Sequence, residues 1–258
     1  MLRLFARVPI RQFGKQIRSI PKNIPRQAAA VPARLNHTKP IKGDPSKKYY
    51  ENGDLSEYTT YRDGKKHGLT LSLFPGNKLR TEREYVMNIK HGRCREYYSN
   101  GQIRCEFHYN TGLIEGLYTG WDDKGNIIVK SNYLHNELHG LSKTWYTNGL
   151  PWKETTYKKG KEHGTQYLYD SKGKILRKAD YADGKEHGTT YEWHNGNLYA
   201  EISYSNGVIN GAIKIYYPNG KLRSTQHYTG GKEDGDKIEY PSSEDDDNTP
   251  TKSEGHWI

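Results

Sequence analysis

The sequence predicts an all-β fold, an elongated repeat solenoid of about eight stacked antiparallel β-hairpins with a period of 24 residues. Three features of the sequence predict it. Glycines recur at a nearly fixed interval, a tyrosine stands at a fixed distance before each of them, and apolar residues alternate with polar ones between these markers. The repeats cover residues 45–240, whereas residues 1–44 and 241–258 lack the pattern and are expected to be disordered.

One glycine in each unit sets the interval. The interval is 24 residues in every case except that between Gly188 and Gly211, where it is 23. The glycines are Gly68, Gly92, Gly116, Gly140, Gly164, Gly188, Gly211 and Gly235, and the tyrosines seven residues earlier are Tyr61, Tyr85, Tyr109, Tyr133, Tyr157, Tyr181, Tyr204 and Tyr228. A period of this length predicts one supersecondary unit for each repeat.

A second glycine marks a tight turn in almost every unit. These glycines are Gly53, Gly101, Gly125, Gly149, Gly173, Gly196 and Gly220, and Asn77 takes the slot in the remaining unit. Asparagine is the usual substitute for glycine where φ is positive, so this exception fits the pattern. We expect both sets of glycines to reverse the chain, which gives a strand, a tight Asn-Gly-type turn, a second strand and a Gly-rich loop.

Between the turns the sequence alternates with period two, as in Ile103-Cys105-Phe107-Tyr109. Such alternation predicts half-buried strands. One hairpin cannot bury its apolar face alone, but stacked hairpins can share a continuous column of side chains. With 22 tyrosines and only 33% hydrophobic residues, we expect aromatic rings to stack with their counterparts in neighbouring units.

Two segments, Tyr98–Gly116 and Tyr217–Gly235, approximate the pattern YxNGxLxxxxxYxxGKxHG. Through this pattern the chain resembles the MORN repeat, and more narrowly the variant repeat of bacterial antitoxin-like proteins, over about residues 47–240. The resemblance implies a twisted antiparallel sheet with a concave groove. It also implies an interaction module: a scaffold, a dimerising tether or a binder of phospholipid head groups. Glu115, Asn210 and Asp234 stand where the pattern has histidine.

The function that we expect is that of a non-catalytic protein-interaction or scaffold module. The candidate binding residues are the aromatic residues five positions after each period glycine, which we expect to line the groove; the same rings would also serve as the stacking core. These residues are Tyr97, Trp121, Trp145, Tyr169, Trp193 and Tyr216. The expected partner is a protein. The alternatives are an antitoxin-like neutraliser of one partner protein and a tether that binds phospholipid head groups, and exposed end strands leave a homodimer through the sheet edge open.

The recurring polar residues do not predict catalysis or metal binding. The recurring histidines are His67, His91, His139, His163 and His187. Equivalent positions lie roughly 9–10 Å apart at ~4.8 Å per strand, too far to share an ion whose ligands sit at about 2 Å. A column of carboxylates is interrupted by lysines; its members are Glu82, Glu106, Lys130, Glu154, Lys178 and Glu201. Mixed charge predicts a solvated face with ion pairs. Because the repeat accounts for these recurring polar residues, we expect no enzyme activity, no metal and no cofactor.

The net charge of +10 belongs to the first 43 residues. They hold six arginines and four lysines without an acid; removing these ten from the 40 basic residues leaves 30, equal to the 30 acidic ones. A surface that binds nucleic acid needs clustered positive charge. The neutral body is therefore not expected to bind nucleic acid.

The N-terminal segment has the features of a targeting sequence. Phe13, Ile17 and Ile20 fall on one face of a short helix, and basic residues occupy another. A basic amphipathic helix without acids is typical of mitochondrial import, so we expect a mitochondrial protein, in the matrix or associated with the inner membrane. The alternatives are a cytoplasmic protein, a plastid transit peptide and a basic membrane-surface helix.

The cysteines and the C-terminal tail add two smaller expectations. Cys94 and Cys105 are too few for a disulfide framework and are expected to be reduced thiols on the two strands of one hairpin. The acidic segment 241–258 is expected to be a disordered, solubilising tail, with a contact arm anchored by Trp257 as the alternative.

Overall fold

The computed structural model describes residues 45–242 and Thr251–Lys252, which together form a single sheet without helices. The predicted presequence and linker, 1–44, and most of segment 241–258 lie outside the described residues. Thr251–Lys252 form a short strand. The all-β prediction is confirmed. Over the described residues, no helix has the length and apolarity needed to cross a membrane.

Twenty strands make up the described sheet. In chain order they are Ser46–Tyr49 (β1), Leu55–Arg62 (β2), Lys65–Phe74 (β3), Lys78–Val86 (β4), Ile89–Tyr97 (β5), Ile103–Asn110 (β6), Leu113–Trp121 (β7), Ile127–Leu134 (β8), Glu137–Trp145 (β9), Pro151–Lys158 (β10), Lys161–Tyr169 (β11), Ile175–Ala182 (β12), Lys185–Glu186 (β13), Gly188–His194 (β14), Asn197–Ser205 (β15), Val208–Tyr216 (β16), Leu222–Thr229 (β17), Lys232–Glu233 (β18), Ile238–Glu239 (β19) and Thr251–Lys252 (β20).

The strands form a meander in which each strand pairs antiparallel with the next one along the chain. At two places the next strand is split into two shorter strands. Strands β13 and β14 both pair with β12, and strands β18 and β19 both pair with β17. Strand β20 pairs with β19 at the C-terminal end. Spatial order therefore follows chain order, as stacked hairpins require.

The tightest turns lie where the sequence suggested a longer Gly-rich loop. Asp63 and Gly64 alone connect β2 to β3, and both have positive φ, of 50° and 70°. Two residues with positive φ define the type I′ turn, whose twist matches that of the strands. The equivalent turns are 63–64, 87–88, 111–112, 135–136, 159–160, 183–184, 206–207 and 230–231.

The Asn-Gly loops are one residue longer than the tight turns that the sequence predicted. The backbone N–H of Gly101 donates to the carbonyl of Tyr98 at 2.9 Å, and the N–H of Tyr98 donates to the carbonyl of Gln102 at 2.8 Å. With φ of 89° at Gly101, this is a three-residue loop that ends in a glycine bulge. Asn77 has φ of 55°, so the expectation of a positive φ at that slot is confirmed.

The period glycines do not reverse the chain, which corrects a second expectation. Gly92 lies inside β5 with φ of 87°, and the pairing of β4 with β5 skips from Arg83–Cys94 to Tyr85–Lys90. Three residues of β5 thus lie opposite one residue of β4. The glycine permits a bulge in a continuous strand rather than a loop.

The single 23-residue interval is accommodated in one loop. His194 pairs directly with Asn197, so Asn195 and Gly196 form a two-residue turn with φ of 52° and 88°. The loop of this unit is one residue shorter than the others, and the strands on either side keep their pairing.

Backbone hydrogen bonds join successive units along the edge that carries the type I′ turns. The N–H of Gly112 donates to the carbonyl of Lys90 at 2.8 Å, and the N–H of Gly184 donates to that of Glu162 at 2.8 Å. Each such bond spans two strands. This edge is therefore tied from unit to unit by the backbone itself.

Candidate interaction surface

The two faces of the sheet differ in how deeply their side chains are buried. We call the face that carries Tyr109, Phe107 and Cys94 the tyrosine face, and the opposite face the tryptophan face. On the tyrosine face even small side chains are buried, with Ala179 and Ala200 each only 1% exposed. The tryptophan face is also buried toward its N-terminal end, where Leu69, Leu71 and Leu73 of β3 are 4%, 3% and 1% exposed.

All six sequence-predicted binding residues lie on the tryptophan face. Tyr97 is buried, and the other five are half-buried. Each pairs with an aliphatic residue or proline of the next strand. The pairs are Tyr97–Ile103, Trp121–Ile127, Trp145–Pro151, Tyr169–Ile175, Trp193–Leu198 and Tyr216–Leu222. Rings and aliphatic side chains therefore alternate in one apolar stripe across the sheet.

The rings of this stripe do not stack on their counterparts, contrary to the expectation. Equivalent residues are separated by two strand spacings, ~9–10 Å, whereas aromatic pairs need centroids within about 7 Å. The ring contacts that involve the stripe are made within one strand, between Tyr167 and Tyr169 at 6.3 Å and between Tyr191 and Trp193 at 6.1 Å. That these rings line a binding groove stays a prediction.

Charged residues on the tryptophan face are paired across strands, as the mixed column predicted. Arg95 bridges Glu82, at 4.0 Å, and Glu106. Lys143 pairs with Glu154 at 3.1 Å. These pairs neutralise most of the charge beside the apolar stripe.

The Tyr97 phenol takes part in the same network. It donates a hydrogen bond to Oε2 of Glu82 at 3.1 Å. Burial, together with the neighbouring carboxylate, raises the pKa of Tyr97 to about 12. Burial and a hydrogen bond to Glu201 likewise raise the pKa of Tyr216 to about 12. Both phenols are therefore neutral donors at physiological pH.

Exposed leucines lie next to the stripe on the tryptophan face. Leu117 is 49% exposed and Leu141 is 41% exposed, and they occupy equivalent positions in neighbouring units. Leu113 and Leu134 are also exposed, closer to the type I′ turns. The sequence reasoning missed these leucines because it followed the aromatic residues alone. Leu117 and Leu141 each follow a period glycine, but so does Leu69, which is only 4% exposed.

One of the recurring histidines, His91, supports a turn, whereas within the described part of the chain the buried Nδ1 atoms of His67 and His163 have no hydrogen-bond partner. Nδ1 of His91 accepts a hydrogen bond from the backbone N–H of Thr111, in the next type I′ turn, at 3.4 Å. Asn210, which departs from the histidine pattern, replaces this contact: its Oδ1 accepts from the N–H of Gly230 at 3.1 Å. Glu115 instead accepts from the side-chain amide of Asn110 at 2.7 Å. Among the five histidines, the turn contact is thus seen at His91.

Both cysteines are free and buried on the tyrosine face. They belong to neighbouring strands and share a small core with Phe107. Burial raises the pKa of Cys94 to about 11, although Arg83 acts in the opposite direction. The thiols are therefore protonated and shielded.

Comparison with known protein families gives five matching segments. The family model described as the MORN repeat variant matches residues 45–63, 90–111, 138–159, 162–183 and 209–229. Four of these segments end at the first residue of a type I′ turn, at Asp63, Thr111, Lys159 and Asp183. The family's unit is thus the hairpin around an Asn-Gly loop. No curated protein matches the chain significantly.

Proposed function

The chain belongs to the MORN repeat variant family, and from that premise we propose that it is a non-catalytic module that binds a protein partner through its tryptophan face. MORN repeats in general mediate protein or membrane interactions and are generally not enzymes. The neutral charge of residues 44–258 favours a protein over an anionic membrane.

The observation that supports this face is its exposed apolar surface. Leu117 and Leu141 project beside the half-buried rings of Trp121 and Trp145, where a soluble sheet would ordinarily carry polar residues. Contiguous exposed apolar surface typically marks an interaction site. Tryptophan is also enriched among the residues that contribute most to binding.

The proposal is tested by comparing two double variants. Leu117→Ser with Leu141→Ser removes apolar surface beside Trp121 and Trp145, whereas Leu176→Ser with Val208→Ser removes exposed apolar side chains from the more distant strands β12 and β16. The tagged chain is used to isolate its partner, and the complex is then reconstituted from purified components. We expect the first variant to bind at least about tenfold more weakly and the second to bind normally. Equal binding by both variants would place the interface elsewhere.

For localisation, we propose that residues 1–44 direct the chain to mitochondria. Their arginine-rich, acid-poor composition supports this assignment. Fusion of residues 1–44 to a fluorescent protein should give mitochondrial fluorescence, and the chain that begins at residue 45 should lose it. A cytoplasmic distribution of the fusion would refute the assignment.

A further inference from the structure

Among the described residues, Lys130 is an unpaired charge in the middle of the exposed apolar surface. It lies on β8, on the tryptophan face, and is half-buried. It pairs in register with Thr119 on one side and with Lys143 on the other, so two ammonium groups face each other across β8 and β9. Lys143 has a carboxylate partner in Glu154. Within residues 45–242, Lys130 has no ion-pair partner.

The repeat itself indicates which residue this slot usually carries. Two units earlier, Glu82 takes the place of Lys130, and Arg95 bridges Glu82 and Glu106. Like charges directly opposite each other destabilise a sheet, and opposite charges stabilise it. Lys130 therefore departs from the arrangement that would favour folding.

Four apolar residues occupy the positions diagonal to Lys130 on the sheet. Leu117 and Leu141 lie on the neighbouring strands toward the type I′ edge, and Trp121 and Trp145 lie on the same strands toward the loop edge. Adjacent strands are ~4.8 Å apart and successive same-face residues ~6.6 Å apart, so all four neighbours are within reach of one bound side chain and its flanks. We call Leu117, Trp121, Lys130, Leu141 and Trp145 the Lys130 patch.

We propose that the Lys130 patch binds a segment of a partner protein in which one acidic residue is flanked by apolar residues. This inference rests on the proposed function and specifies the chemistry of the partner. The carboxylate would neutralise the Lys130 ammonium group, which has no ion-pair partner on the described sheet. The flanking apolar side chains would cover the leucines and the tryptophan rings. An anionic membrane would require several clustered cations, whereas the ammonium group of Lys143 is already paired with Glu154.

A charge reversal tests the inference without endangering the fold. Lys130→Glu would place a carboxylate opposite Lys143 and restore the arrangement seen at Glu82, Arg95 and Glu106. We expect this variant to unfold at a temperature no lower than the original chain. Lys178→Glu is the matched control, because Lys178 occupies the same slot two units later and its ammonium lies over the Tyr191 ring.

The full chain and both variants are used to select binders from a library of random linear peptides displayed on phage. Peptides selected on the original chain should be enriched in Asp or Glu next to apolar residues. They should bind Lys130→Glu at least about tenfold more weakly and bind Lys178→Glu unchanged. Lys130→Glu should itself select peptides with Lys or Arg in place of the acid.

Two outcomes would overturn the inference, and only the second would also overturn the proposed function. If the selected peptides bind Lys130→Glu normally but lose binding to Leu117→Ser with Leu141→Ser, the tryptophan face binds peptides without reading their charge. In that case the proposed function stands and the acidic partner is refuted. If neither variant changes binding, the interaction surface lies elsewhere and both proposals fail.

Discussion

Gly92 packs directly against Glu84 across the β4–β5 pair, and a side chain at this position would require Glu84 to move. A Cβ atom at Gly92 would lie 3.1 Å from the carboxyl carbon of Glu84 and 3.3 Å from its Cβ. The same glycine has φ of 87°. Steric crowding and backbone conformation therefore both favour glycine at this bulge.

Gly92→Ala should lower the free energy of unfolding by about 2–4 kcal/mol, because backbone strain adds to the clash with Glu84. Gly116→Ala is the control, since Gly116 has φ of 83° but a Cβ atom added there would meet no other atom within 4 Å. It should cost only about 1–2 kcal/mol. Urea denaturation followed by circular dichroism measures both values, and equal losses would contradict the steric contribution.

Met87 is a poor residue for its turn and can be improved. It has φ of 51°, which is uncommon for a bulky side chain, while Asn206 occupies the equivalent slot with φ of 52°. Met87→Asn should raise the free energy of unfolding by about 0.5–1 kcal/mol. The midpoint of thermal unfolding gives the answer, and a lower midpoint would show that Met87 makes a compensating contact.

Asn210 should be replaceable by histidine but not by alanine. The bond from Gly230 N–H to its side chain would be lost in Asn210→Ala, at a cost of about 0.5–1.5 kcal/mol. Asn210→His should retain most of the stability, because His91 makes the equivalent bond to Thr111. Parallel urea titrations of the two variants test this, and equal destabilisation would refute the role of the side chain as a turn acceptor.

The stability of the protein should fall between pH 10 and pH 12. The pKa of Tyr97 is about 12 in the folded state against about 10 in an unfolded chain, so the unfolded state loses its proton first as the pH rises. The contribution of Tyr97 is fully present below pH 10 and is lost as the pH rises toward 12.

Tyr97→Phe removes this titration and should make the decline between pH 10 and pH 12 shallower. Urea denaturation at several pH values measures the slope. Since the pKa of Tyr216 is also about 12, the decline should shrink but persist in the single variant. An unchanged slope would mean that the Tyr97 hydroxyl is equally acidic in both states.

The thiols should resist modification in the folded protein. Cys94 is fully buried and its pKa is raised to about 11, so little reactive thiolate forms at neutral pH. A chromogenic disulfide reagent should react slowly with the native chain and rapidly with both thiols in concentrated guanidinium. Rapid reaction of the native protein would contradict the burial of these cysteines.

The sequence was sufficient for the architecture but not for the role of each glycine. Its spacing identified positions with positive φ, as Asn77 illustrates, because few residues adopt that conformation. A positive φ serves a reversal and a strand bulge equally well, however, so Gly92 could not be assigned without the strand pairing. The prediction of ring stacking was wrong for a related reason. The interval of 24 residues identifies the repeating unit, but whether Tyr97 can reach Trp121 depends on the distance across the two strands of that unit.

The candidate surface was predicted in part. The aromatic residues share one face, but the sequence did not distinguish the exposed Leu117 and Leu141 from Leu69, which occupies the equivalent position and is only 4% exposed. Lys130 was visible as a lysine in a column of glutamates. Its significance became clear only when the register placed it opposite Lys143.

The shortened turn at Asn195–Gly196 indicates where the repeat array can tolerate changes in sequence and length. The edge that carries the Asn-Gly loops absorbs a deletion without a change in the neighbouring strand pairing, and side-chain hydrogen bonds join its units. Along the other edge, main-chain hydrogen bonds join the units. We therefore expect insertions, grafted epitopes and sequence variation to be tolerated along the edge of the Asn-Gly loops and to be selected against along the edge of the type I′ turns.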